Sequence, residues 1–147
     1  MKPFDPHLNL VAAWVGIMLG FVSGMVLGMF FHHEGWLGGY ASLKRRMYRL
    51  GPIALFALGT MNLLFWLTVK NLPVSGALAG WASGLFVLGA ATMPLCCVIM
   101  AHRPKLHLIF SLPVVSLIAA AALTLALILN AGDVPPLNPQ LSTLNSP

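Results

Sequence analysis

An all-α integral membrane protein, with four transmembrane helices in an up-down bundle, is the fold this sequence predicts. Three observations predict it: long apolar runs, very little charge, and confinement of that charge to the gaps between the runs. Of 147 residues, 59% are hydrophobic and only 7% are charged, whereas a water-soluble domain carries about a quarter charged residues. So few Lys, Arg, Asp and Glu cannot cover a water-facing surface, and lipid is the expected solvent.

The first run covers about 8–31, enough for the ~20 residues a helix needs to cross the hydrocarbon core. It is too long for the apolar region of a signal peptide and has no small-x-small cleavage site, so a retained helix is expected. It ends at His32, His33 and Glu34. A connector follows, in which Trp36 and Tyr40 suit the membrane interface and Lys44, Arg45, Arg46 and Arg49 form a basic amphipathic turn. The second span, about 51–69, opens at Gly51-Pro52, where a proline fits a first helical turn because its missing N–H has no acceptor there.

Lys70, Asn71 and Pro73 make a turn into the third span, about 76–101, whose interior Pro94 removes a hydrogen bond and is expected to kink the helix. The loop from His102 to Leu106 is short, which makes the third and fourth spans antiparallel neighbours. The fourth span covers about 107–130 and closes a single transmembrane domain, 1–130. The tail, 131–147, holds Pro135, Pro136, Pro139 and Pro147 and is expected to be extended.

Charge sets the orientation. Lys44, Arg45, Arg46, Arg49, Arg103 and Lys105 lie in the first and third loops, against Lys2 and Lys70 on the opposite side. The positive-inside rule then places those loops in the cytoplasm and both termini on the non-cytoplasmic side, in a membrane of the bacterial inner-membrane type. The net charge of +5 is this bias and not a nucleic-acid footprint, since no basic face or aromatic ladder accompanies it. The two cysteines are adjacent and inside an apolar run, so they imply no disulfide framework.

Ala12, Gly16, Gly20, Gly24 and Gly28 recur every fourth residue on the first span, and Gly76, Gly80 and Gly84 repeat the pattern on the third. Such a stripe lets another helix approach closely, whether from a second subunit or from within the bundle. His32, His33, His102 and His107 all fall at the expected cytoplasmic face. Histidines there can ligate haem b or hydrogen-bond a quinone, or simply cap helix ends; none lies mid-span, so a haem is confined to that face. Met93, Cys96, Cys97 and Met100 follow i, i+3, i+4, i+7 spacing with soft ligands suited to Cu(I), although Met and Cys are equally ordinary packing residues. Met18, Met25 and Met29 form a second such stripe on the first span.

Thr60, Asn62 and Thr92 are polar side chains at depth, expected to hydrogen-bond neighbouring helices or backbone. Ionisable residues of the kind that mark transport pathways are missing from the spans, as are phosphate-binding loops, zinc-protease motifs and nucleophile elbows. The sequence therefore predicts no enzyme and no catalytic residues. It predicts a small accessory or anchoring subunit of a larger membrane complex, in an energy-converting (respiratory or photosynthetic) setting, with other membrane subunits and the lipid bilayer as partners. A haem- or quinone-binding redox subunit and a copper-handling membrane protein are the two alternatives.

Overall fold

The computed structural model describes residues 7–72 and 76–132. Within them the chain forms α1 (His7–Phe30), α2 (Leu43–Asn71), α3 (Ala77–His102) and α4 (Ser111–Gly132), with 3-10 turns at Trp36–Gly38 and Pro104–Phe110. Four stretches are long and apolar enough to cross a membrane, the last running from Pro104 through the 3-10 turn and α4 to Ala131. The expected four-helix, all-α membrane fold is what the chain adopts. Lys2, Asp5, Pro73 and the proline-rich tail from 133 onward lie outside the described residues.

Two boundaries differ from the hydropathy pattern. α2 begins eight residues before Gly51, so the basic turn is its first two turns and Pro52 is interior. The cause is local: Ser42, in extended backbone, accepts the Arg45 N–H through its hydroxyl at 3.3 Å and starts the helix. Pro52 then forfeits only the single bond its N–H would have made, to the Tyr48 carbonyl. At the fourth span, Pro104 opens a 3-10 turn and regular α-helix starts only at Ser111, whose hydroxyl donates to the Leu108 carbonyl at 2.6 Å. α3 runs unbroken through Pro94.

In lipid every backbone and side-chain polar group must find its partner inside the protein. Thr60, Thr68, Asn71, Thr92 and Thr124 do so by donating to the carbonyl one turn earlier on their own helices. Three residues instead bond between helices. Asn9 of α1 donates to the Asn62 side chain of α2 at 2.8 Å and accepts from the Ser83 hydroxyl of α3. Asn62 in turn donates to the carbonyls of Leu58 and, across to α3, Phe86. Asn9 and Asn62 are fully buried, so this lock fixes the mutual register of three helices, each bond contributing on the order of 1 kcal/mol.

Beside the lock sits the small apolar core, where Phe65 of α2 meets Ala82 and Phe86 of α3 and Ala120 of α4. The Phe65 and Phe86 rings lie 5.2 Å apart. Contacts otherwise follow chain order, with α1 against α2, α2 against α3, and α4 leaning mainly on α3. α1 and α4 are thus the flanks of the bundle.

The α1–α2 seam is backbone against backbone. A Cβ on Gly59 lands 2.8 Å from the Ala13 carbonyl oxygen, and one on Gly16 lands 3.0 Å from that of Leu55. Gly89 plays a similar part on α3, where an added Cβ meets the Leu117 side chain of α4 at 2.5 Å.

Candidate functional site

The chemistry-bearing side chains gather at the end of the bundle where the α1–α2 and α3–α4 connections lie side by side. The first connection turns through left-handed backbone at Leu37 (φ 53°), Gly38 (φ 88°) and Gly39 (φ 87°). Glycine takes such angles freely, whereas leucine is strained by about 1–2 kcal/mol. Ser42 holds this turn by donating to the Leu37 carbonyl at 2.7 Å while capping α2.

Arg45 anchors the connection from beneath. It is only 1% exposed, and its guanidinium donates to the carbonyls of Phe31 (2.6 Å), His33 (3.3 Å) and Glu34 (3.4 Å) just past the end of α1. Those carbonyls follow the negative end of the α1 dipole, so a cation there is favourable. The rings of Tyr40, Phe31 and Trp36 surround it, with centroids 3.8, 5.0 and 5.8 Å from the guanidinium carbon. Tyr40 also donates to the Phe31 carbonyl. Only the buried Nε finds no partner.

Two cavities open beside this anchor. A recess of about 570 Å³ lies between the two connections, walled by Leu37, Ser42, Leu43 and Lys44 on one side and Ala101, His102 and Pro104 on the other. A groove of about 460 Å³ runs between α1, α2 and α3, lined by Leu19, Val22, Val26, Leu55, Pro94 and Val98, with Tyr48 and Ser23 as its polar groups. The two adjoin. The Tyr48 ring of the groove meets the His102 ring of the recess at 6.0 Å, and His102 Nδ1 lies 3.1 Å from the carbonyl of Val98. That carbonyl can only accept, so Nδ1 carries the proton and Nε2 remains for another partner.

The other residues singled out from the sequence fall as follows. His32 and His33 touch one another, ring centroids 4.2 Å apart, and are exposed; His107 is exposed in the second 3-10 turn. Cys96 and Cys97 are buried, and Met93 and Met100 half-buried. The Cys96 thiol donates at 3.5 Å to the carbonyl of Ile109, which Pro113, lacking an N–H, cannot reach from one turn on. Among the described residues no group of three or more His, Cys, Asp and Glu lies close enough to hold a metal ion.

Of the glycine stripe, Gly16 and Gly20 press on α2, Gly24 has only the Pro52 side chain near it at 3.8 Å, and Gly28, Gly76 and Gly84 border open space. Ala12 and Gly80 are half-buried.

Sequence reasoning missed Asn9, Ser83, Gly59, Leu37 and the anchoring role of Arg45. Asn9 carries a usable signal, an amide inside an apolar run. Ser83 is disguised among the small residues of its span, and Leu37 carries none. Compared with protein-family models, curated proteins and solved structures, the chain matches none of them, and its function rests on its own residues.

Proposed function

We propose that the chain is a small, non-catalytic subunit of a larger membrane assembly, with both connections facing the cytoplasm. One observation supports this reading above the others: α1 buries only Asn9, Ala13 and Gly20 of its 24 residues. Its far face presents Trp14, Met18 and Met25, all exposed, and Gly28, at the end of the glycine stripe, lies beyond the reach of α2. Lipid can cover such a face, but the gap without a side chain at Gly28 favours a second helix, which gains van der Waals contact that lipid tails make less well. The buried side chains of Asn9, Asn62, Ser83 and Arg45 are also engaged in holding this chain's own helices and loops together, as a scaffold requires.

Gentle extraction of native membranes tests the reading. The protein is expected to migrate with at least one other membrane protein, and Gly28→Leu is expected to release it. That substitution enters open space within the chain, so the fold survives and only the joint is lost. A native protein that runs as a stable monomer contradicts the proposal.

The recess at His102 supports a second reading, a subunit that binds an amphiphile such as a quinone by its head group. It uses one of the four interfacial histidines and needs no haem. A quinone extracted in stoichiometric amount with the purified protein is its expected signature, and a preparation free of quinone counts against it.

A further inference from the structure

We propose that the recess and the groove together form a site for one anionic phospholipid, its phosphate headgroup in the recess and an acyl chain in the groove. The inference is independent of the subunit reading, since a lone monomer could hold the same lipid.

The two cavities differ in chemistry in the order that a phospholipid requires. The recess holds Lys44 and His102 and opens on the first turn of α2, where the N–H groups of Leu43 and Lys44 have no acceptor within the helix. An anionic oxygen there gains an ammonium partner and the positive end of the α2 dipole. The groove that continues from it along α1, α2 and α3 is apolar, with Tyr48 at the junction. Both volumes fall in the range of about 300–1,000 Å³ typical of ligand sites.

Charge selects an anion over a neutral head group. Among the described residues, this end of the bundle exposes Lys44, Arg46, Arg49, Arg103 and Lys105 against a single exposed carboxylate, Glu34. The strained Leu37 backbone belongs to the same site. Leucine adopts this backbone at a cost that glycine would not carry, and its apolar side chain lies at the rim of the recess.

The test is retention of defined lipids by the full-length protein in neutral detergent, counted by native mass spectrometry. One phosphatidylglycerol is expected to remain bound, with phosphatidylcholine weaker by roughly tenfold, the effect of one charge-assisted contact. Lys44→Gln is expected to remove that preference, while Lys105→Gln, on the same end but outside the recess, leaves it intact. Gly51→Leu is expected to weaken both lipids, because Gly51 lines the groove and an added Cβ meets nothing within 4 Å. Equal retention of the two lipids, equal effects of Lys44→Gln and Lys105→Gln, or displacement of the lipid by a ubiquinone analogue overturns the proposal.

Discussion

Gly59→Leu is expected to part α1 from α2 and to destabilise the bundle strongly. Gly59 is buried, and even the first atom of a side chain there lies 2.8 Å from the Ala13 carbonyl oxygen and 3.0 Å from the Ile17 amide nitrogen. Both obstacles are backbone, so no rotamer change on α1 makes room and the helices themselves must separate. Separation also stretches the Asn9–Asn62 bond that ties the same two helices. Overpacking of this kind costs on the order of 3 kcal/mol, read as a fall in the midpoint of unfolding in mixed micelles. Gly59→Ala shows a smaller loss, because the helix propensity of alanine returns about 1 kcal/mol. Gly28→Ala, which meets nothing within 4 Å, is expected to be neutral or slightly stabilising. Equal midpoints for Gly59→Leu and Gly28→Ala refute the seam described here.

Arg45→Ala is expected to cost about 3 kcal/mol and to loosen the whole α1–α2 connection. The substitution removes three hydrogen bonds, to the carbonyls of Phe31, His33 and Glu34, and a hydrogen bond to a charged group contributes about 1.5–3 kcal/mol. It also empties the cage formed by Tyr40, Phe31 and Trp36. Arg45→Lys restores the charge but not the fork, since one ammonium cannot span three carbonyls, so it recovers less than half of the loss. Trypsin reports the same change locally. Cleavage after Lys44 or Arg46 accelerates in Arg45→Ala relative to the native chain, while cleavage after Lys105, on the other connection, stays the same. Unchanged midpoint and unchanged cleavage show that the buried guanidinium contributes nothing.

The spans were legible because lipid imposes a simple demand, about twenty apolar residues in a row, and four stretches of this chain meet it. Where α2 starts was not legible from hydropathy, because helix initiation is a matter of hydrogen bonding. Ser42 caps the helix, and the charges from Lys44 to Arg49 ride on turns that precede the apolar run. Gly16 and Gly20 stood out by their spacing, but their counterpart Gly59 is isolated on α2, and a seam between two helices needs only one glycine from the second. Arg45 looked like its basic neighbours because its partners are main-chain carbonyls, which leave no mark in a sequence. Lys44 and His102 are far apart in the chain, and only the packing of α2 on α3 and the tight turn at Leu37 bring them to one recess.

Cysteine labelling from one side of the membrane tests the four-span arrangement most directly. In a Cys96→Ala, Cys97→Ala background, Gly35→Cys and Lys105→Cys sit in the two connections at one end of the bundle, and Asn71→Cys sits at the C-terminal end of α2. A membrane-impermeant maleimide applied to intact cells is expected to label Asn71→Cys and to reach the other two only after the membrane is opened. Labelling of Gly35→Cys and Lys105→Cys from opposite sides, or release of the protein into water without detergent, contradicts the fold and with it the recess, the groove and the exposed face of α1.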